Sequence, residues 1–114
     1  MTDHTGLLDY AEQVLDGTVA LRSSGPRTAA LLARCALEEW LDAKSAAWSS
    51  TSYPFPTTKS KLVALEALED RDLGVRAQRV WNALSRSVHH HAYELQPSVA
   101  EVRHLVTQVR GLGV

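Results

Sequence analysis

The chain has 114 residues, of which 45% are hydrophobic and 22% charged, with twelve lysines and arginines against thirteen aspartates and glutamates and a net charge of −1. These values indicate a single globular domain, residues 1–114, and exclude both a disordered chain and a protein that coats nucleic acid through bulk positive charge. With no stretch near the roughly 18 apolar residues of a membrane span, no amino-terminal signal pattern and a single cysteine, we expect a cytoplasmic protein without membrane association.

Hydrophobic periodicity predicts two long helices in the first half of the chain. Apolar residues recur at helical spacing from Thr5 to about Arg22, with polar residues on the opposite side. Gly25 and Pro26 then interrupt the pattern, and Pro26 suits the first turn of a second helix that reaches about Trp48. The apolar face of this second helix is rich in alanine, which permits close packing against neighbouring helices.

The longest predicted loop is the run SSTSYPFP, residues 49–56, because its two prolines favour extended backbone. Its aromatic residues, Tyr53 and Phe55, are expected to pin the loop on the core, and contact with a partner is the alternative. A short third helix is predicted from about Thr57 to Glu69. Its inward residues are expected to be Leu62, Leu65 and Leu68.

Two further helices complete the predicted fold. A fourth follows the corner DRDLG, residues 70–74, and runs to about Leu95; a fifth begins near Pro97 and ends at Gly111. The apolar stripe of the fourth helix contains Leu73, Ala77, Val80, Leu84, Val88, His91 and Leu95. Short connections between helices favour antiparallel neighbours, so the sequence predicts an all-α antiparallel bundle of four to five helices.

The candidate chemistry lies in the segment RSVHHHAYEL, residues 86–95, where three consecutive histidines follow Arg86. Arginine suits the binding of a phosphate, and imidazole exchanges protons near neutral pH, because its unperturbed pKa is about 6.5. This pairing indicates phosphodiester chemistry. On a regular helix, the polar side would contain Asn82, Arg86, His89, His90 and Tyr93.

His91 would instead lie on the apolar stripe, about 140° from Arg86, so the three imidazoles would diverge. On an unbroken helix Arg86 would face His90 at i,i+4. Two alternatives would bring Arg86 and His91 together: an irregular turn at Arg86, or a second copy of the chain that supplies the arginine. Arg86 could also form a surface ion pair with Glu94 or Asp72.

Arg86, four intervening residues and His91, with the small polar Ser87 directly after the arginine, resemble the R-x(4-6)-H motif of the HEPN superfamily. The segment TAALLARCALEEWLD, residues 28–42, is similar to the alanine-rich helix of that superfamily. The resemblance implies a small all-helical domain. Many members are metal-independent ribonucleases of toxin, CRISPR and antiphage systems.

The same resemblance implies a homodimer in which the motifs of two protomers form one composite cleft for RNA. His91 would act on the proton of the RNA 2′-hydroxyl, and Arg86 would stabilise the charge on the phosphorus centre. Ser87 would orient Arg86, and Glu38 or Glu39 would support the site. No metal or cofactor is implied, and an antitoxin or regulatory protein would be the expected partner.

The sequence departs from the family pattern at two points. Many members carry asparagine at the position of Ser87, and the additional imidazoles of His89 and His90 leave the catalytic histidine open. A zinc site is the competing interpretation of a histidine cluster, but adjacent positions on a helix diverge and the chain has one cysteine. Another alternative is that His91 is a buried histidine bonded to a backbone carbonyl.

The alternative function is a non-catalytic helical homodimer that serves as an interaction module. Such a module needs only the apolar faces of the helices and the aromatic residues. Trp40, Trp48 and Trp81 are interpreted as core or interface anchors, and Cys35 as a small core residue.

Overall fold

The computed structural model describes residues 4–18, 25–48, 57–89 and 97–114 of the chain, without the side chain of His4. Across these ranges the chain forms five helices and no strand. The helices are α1 (His4–Asp16), α2 (Gly25–Trp48), α3 (Thr58–Leu68), α4 (Arg71–Val88) and α5 (Val99–Gly111). The predicted all-α helical bundle is confirmed.

Local sequence signals explain where three of the helices begin. The Thr57 hydroxyl accepts a hydrogen bond from the Ser60 N–H, and the Ser60 hydroxyl accepts one from the Thr57 N–H, which forms a capping box at α3. Asp70 caps α4 by accepting from the N–H of Leu73, and Ser98 caps α5 in the same way. Each cap satisfies a backbone donor that the first helical turn leaves unpaired.

The first helix is shorter than the sequence pattern predicts, because it ends at Asp16 rather than near Arg22. Gly17 adopts a φ of +78°, in the left-handed region that favours glycine. The N–H of Gly17 donates to the Val14 carbonyl, and that of Thr18 to the Gln13 carbonyl. This is a Schellman motif, so the glycine ends the helix although apolar residues continue beyond it.

Helix α2 is the central element, since it packs against all four other helices. The side-chain contacts establish directions: Arg34 meets His89 and Glu38 meets Trp81, so α4 runs antiparallel to α2. Helix α3 runs parallel to α2, because Glu38 meets Thr58 near one end and Trp48 meets Glu69 near the other. The bundle therefore combines antiparallel neighbours, such as α2 and α4, with the parallel pair of α2 and α3.

The core lies along one broad face of α2, which carries the buried residues of that helix. Four alanines of α2 are fully buried and allow its neighbours to approach closely: Ala29, Ala30, Ala33 and Ala36. The largest fully buried side chains are Leu8, Leu37, Leu41, Leu62, Leu65, Leu84, Val102, Val106 and Val109. Trp40 belongs to this core, whereas Trp48 and Trp81 are half-buried against it.

Leu68 departs from the sequence prediction, because it is 61% exposed instead of inward. Each step of three residues on an α-helix falls about 60° short of a full turn. Leu62 and Leu65 remain within the buried face, but Leu68 has rotated about 120° away from Leu62. Leucines at the spacing i,i+3,i+6 therefore do not all lie on the buried face of α3.

None of the helices in the described part of the chain combines the length and apolar character needed to cross a membrane.

Candidate functional site

The candidate site lies at the carboxyl end of α4. Val88 is the last helical residue, and His89 leaves the helix with φ −90° and ψ +57°, while its N–H still donates to the Ser85 carbonyl. The prediction of one unbroken helix to about Leu95 is therefore wrong at His89. His90, His91 and Tyr93 lie outside the described residues, as do the predicted loop aromatics Tyr53 and Phe55.

His89 contacts an arginine, but a different one from the arginine that the motif indicates. Nη1 of Arg34, on α2, lies 3.0 Å from Nε2 of the exposed His89 ring. A guanidinium has five N–H donors and no acceptor, so Nε2 of the imidazole must be the acceptor. The proton of the neutral ring therefore resides on Nδ1 in this arrangement.

Arg34 is itself held by Glu38 and Trp81. Nε of Arg34 donates to Oε2 of Glu38 at 3.4 Å, and its guanidinium carbon lies 5.5 Å from the centre of the Trp81 ring. The same carboxylate oxygen accepts from Trp81 Nε1 and from the Thr58 hydroxyl, both at 3.3 Å. These distances are at the long end of hydrogen bonds, so each bond is modest and the group acts collectively.

We name Arg34, Glu38, Thr58, Trp81 and His89 the Arg34 cluster. It joins α2, α3 and the end of α4. Within it, the contact between Arg34 and Nε2 orients the imidazole of His89. Arg34, Thr58 and Trp81 were not identified from the sequence as site residues. The sequence feature that could have identified Arg34 is its pairing with Glu38, because the two place opposite charges at i,i+4 in an alanine-rich helix.

Arg86 lies on the exposed surface of α4, three residues before His89. Residues at i and i+3 of a helix have Cβ atoms about 5–6 Å apart, so Arg86 and His89 are surface neighbours. Arg86 forms no ion pair with any residue in the described ranges. The suggested partner Asp72 is bonded to Arg76 at 3.0 Å, and Glu94 lies outside those ranges.

The other predicted site residues occupy separate positions. The hydroxyl of Ser87 donates to the Ala83 carbonyl at 3.1 Å, so it is bonded to its own helix and not to Arg86. Asn82 is exposed on α4, one turn before Arg86, and Glu39 is half-buried on α2 beside Glu38. Of the predicted set, the structure therefore places Arg86 and His89 near one another. It bonds His89 to Arg34 on α2, and it bonds Glu38 to side chains on α3 and α4.

Cys35 follows Arg34 in the sequence and is half-buried. Burial raises the pKa of its thiol, and the carboxylates of Glu38 and Glu39 raise it further, outweighing the opposite influence of Arg34. The thiol is therefore protonated at neutral pH and unsuited to act as a nucleophile. This environment agrees with a packing role.

Within the described ranges, no three histidine, cysteine, aspartate or glutamate side chains are close enough together to hold a metal ion. At the end of α4 the functional groups are two guanidinium groups, one imidazole and one carboxylate, which belong to Arg34, Arg86, His89 and Glu38. Guanidinium groups bind and neutralise phosphate, and imidazole donates or accepts a proton. The arrangement thus suits reactions at a phosphate ester.

No protein-family model matches the sequence, and comparison with curated proteins and with solved structures gave no match either.

Proposed function

We propose that this protein is a metal-independent endoribonuclease of HEPN type that acts as a homodimer. The supporting observation is the 3.0 Å contact between Arg34 and His89, which holds an imidazole at the surface three residues from the exposed Arg86. A guanidinium that faces solvent next to an oriented imidazole N–H provides two donors that suit the oxygens of one phosphate. The spacing of Arg86 and His91 adds the resemblance described above.

In the proposed reaction, His91 accepts the proton of an RNA 2′-hydroxyl, whose oxygen attacks the adjacent phosphorus. A P–O2′ bond forms and the P–O5′ bond breaks, which leaves a 2′,3′-cyclic phosphate on one product. The 5′-oxygen of the other product takes up a proton and becomes a hydroxyl. Arg86 stabilises the negative charge that builds on the non-bridging oxygens as the phosphorus becomes five-coordinate.

His89 takes a different role from His91 in this scheme. Its Nε2 lone pair is engaged by Arg34, so the ring cannot use that nitrogen to accept the 2′-hydroxyl proton. The remaining Nδ1–H is a donor suited to a phosphate oxygen. We therefore assign proton acceptance to His91, hydrogen-bond donation to His89, and a positioning role to Arg34 and Glu38.

The site is proposed to be composite, with the arginine of one protomer and the histidine of the other acting on the same phosphate. In a twofold dimer the same surface of each protomer lies at the axis. The exposed end of α4 is therefore suited to contribute residues from both protomers to one site. The biological setting proposed is the cytoplasm, in a toxin or antiphage system whose antitoxin or regulatory protein covers the site.

Cleavage of a labelled RNA in excess EDTA tests the proposal. Wild-type protein should produce 2′,3′-cyclic phosphate ends, and a substrate with 2′-deoxyribose at the cleavage point should remain intact. Arg86→Ala and His91→Ala should each lower the rate by a factor of about 10² or more. His104→Ala is the matched control, because it removes an exposed histidine from α5 and should cleave at the wild-type rate.

Mixing the two inactive variants tests the shared site. A heterodimer of Arg86→Ala and His91→Ala contains one intact arginine and one intact histidine on different protomers, so mixing should restore part of the activity. Wild-type rates in both single variants would overturn the proposal. Activity that EDTA abolishes and zinc or magnesium restores would indicate a metal enzyme, and inertness under all conditions would favour the non-catalytic interaction module.

A further inference from the structure

Charge is distributed unevenly among the helices. Helix α4 carries four arginines, at positions 71, 76, 79 and 86, and a single acidic residue, Asp72. Helix α1, in contrast, carries three acidic residues and no lysine or arginine. A chain with a net charge of −1 thus concentrates positive charge on one helix. A local basic surface can attract a polyanion even when the whole protein is slightly acidic.

Three of these arginines are not engaged with carboxylates in the described part of the chain. An acidic side chain lies within 3.4 Å of Arg76 on α4, and the same holds for three arginines of other helices, Arg34, Arg103 and Arg110. Arg71, Arg79 and Arg86 form no such pair with a described residue, and all three are exposed. We name Arg71, Arg79 and Arg86 the arginine row.

The row is straight enough to follow an extended ligand. At 100° and 1.5 Å per residue, its members lie within a sector of about 80° and span about 22 Å along α4. Arg79 and Arg86, seven residues apart, are nearly in line. The row ends at Arg86, the residue that the proposed reaction places on the scissile phosphate.

A groove of about 310 Å³ adjoins the middle of the row. It lies between α4 and the end of α5, and Arg76, Arg79, Gln108, Gly111 and Leu112 line it. Two arginines line the groove. Arg76 is bonded to Asp72, whereas Arg79 forms no ion pair with any residue in the described ranges. The amide of Gln108 supplies both donors and an acceptor beside it.

We infer that the arginine row binds the phosphate backbone of a single-stranded RNA that runs along α4 towards Arg86. This inference rests on the proposed function and extends it to the substrate on one side of the cleavage point. Guanidinium groups are weakly hydrated and bind phosphate oxygens in a bidentate manner, which favours RNA over a carboxylate-bearing partner. A single strand is required because in-line attack by a 2′-hydroxyl needs a backbone geometry that a regular duplex does not adopt.

Fluorescence anisotropy with a labelled, fully 2′-O-methylated RNA 12-mer tests binding apart from cleavage, since this probe has no attacking hydroxyl. Each phosphate neutralised on a single strand contributes about −0.7 to the slope of log affinity against log salt. The three-membered row should therefore contribute about −2 to the slope in the wild type. Arg71→Gln with Arg79→Gln should reduce the magnitude of that slope by about 1.4 and weaken binding on the order of 60-fold at 50 mM salt.

Arg103→Gln is the matched control, because it removes one positive charge from α5, where Arg103 pairs with Asp16, outside the row. It should leave affinity and slope unchanged, and circular dichroism should show that all variants remain helical. Unchanged binding by the Arg71 and Arg79 variant, equal weakening by Arg103→Gln, or no binding by the wild type at 50 mM salt would each overturn the inference. Equal or tighter binding of a duplex of the same sequence would overturn it as well.

The outcome is separable from that of the proposed function. If the row binds the methylated probe as expected but ordinary RNA is never cleaved, the nuclease proposal fails and the binding surface stands. If ordinary RNA is cleaved and the Arg71 and Arg79 variant binds and cleaves like the wild type, only this inference fails.

Discussion

Arg34 and His89 are 55 residues apart in the sequence, and Nη1 of the guanidinium meets Nε2 of the imidazole at 3.0 Å. The antiparallel packing of α2 and α4 brings them together. Arg34 is already fixed by Glu38 and by the face of Trp81, so the cluster orients the ring of His89 rather than the reverse. One physical consequence is a defined tautomer at an exposed histidine.

The first prediction is that neutral His89 carries its proton on Nδ1. Long-range ¹H–¹⁵N correlation spectra of the imidazole side chains, recorded above pH 8, should show Nε2 as the unprotonated nitrogen. Arg34→Met removes the donor that fixes this state, so the Nε2–H form should appear. His104 serves as an internal control, because its spectrum should not respond to the change at Arg34. A wild-type ring protonated mainly on Nε2 would contradict the observed contact.

The second prediction concerns Glu38, whose Oε2 accepts from three donors on α2, α3 and α4. Glu38→Gln removes the charge that holds Arg34 and Trp81, so the free energy of unfolding should fall by about 1 kcal/mol. The side chain of Glu38 is 30% exposed and its bonds are long, which keeps the expected loss below that of a fully buried network. Urea unfolding followed by circular dichroism measures the change.

Asp16→Asn provides the comparison for Glu38→Gln, because Asp16 pairs with Arg103 and with no other described residue, at a site where both side chains are about half exposed. Its effect should stay within about 0.5 kcal/mol. A loss at Glu38 no greater than that at Asp16 would show that the Arg34 cluster does not stabilise the fold.

Helix positions were predictable where local chemistry and apolar period agree. The bounds of α2 and α3 match the sequence prediction to within about one residue. Helix α2 begins at Gly25 and Pro26, and α3 begins at the Thr57 capping box. The ends of α1 and α4 were predicted wrongly because apolar residues continue past Gly17 and His89. At both points a backbone conformation, rather than hydrophobicity, ends the helix.

The site was predictable only in part. A short motif identified Arg86, and its exposed position on α4 follows from the period of that helix. Arg34 could not be found in the same way, because its contact with His89 depends on the register between α2 and α4. That register is set by the buried alanines and leucines between the helices, and periodicity specifies which face is buried but not which residues meet.

The third prediction concerns Gly74, where the backbone of α4 lies close to the backbone of α3. A Cβ atom at this position would lie 2.4 Å from Cα of Glu66, and a backbone atom cannot move aside as a flexible side chain can. Gly74→Ala must push the two helices apart, so it should destabilise the protein by about 1–3 kcal/mol despite the better helix propensity of alanine. The midpoint of urea unfolding reports the change.

Gly111→Ala is the matched substitution for Gly74→Ala, since a Cβ there would meet no atom within 4 Å. It should leave stability unchanged or raise it by up to about 1 kcal/mol. Equal effects of the two alanines would mean that helix propensity, and not the contact between α3 and α4, determines the result.

The fourth prediction concerns the pH dependence of the contact between α2 and the end of α3. Oε1 of Glu69 accepts from Lys44 Nζ at 2.6 Å, and Oε2 accepts from Trp48 Nε1 at 3.0 Å. The bond to Lys44, followed by the bond to Trp48, lowers the pKa of Glu69 below its ordinary value. The folded state therefore favours the ionised carboxylate more than the unfolded chain does.

A lowered pKa in the folded state gives a stabilisation that is complete above the unfolded pKa, about 4.3, and is lost as the pH falls through the lower folded value. A double-mutant cycle of Glu69→Gln and Lys44→Met isolates the pair from the contact that Lys44 also makes with the Trp40 ring. The coupling energy should be no more than about 1 kcal/mol at pH 7, because both side chains are partly exposed, and should approach zero near pH 2–3. A coupling that persists unchanged at that pH would show that the contact does not depend on the carboxylate charge.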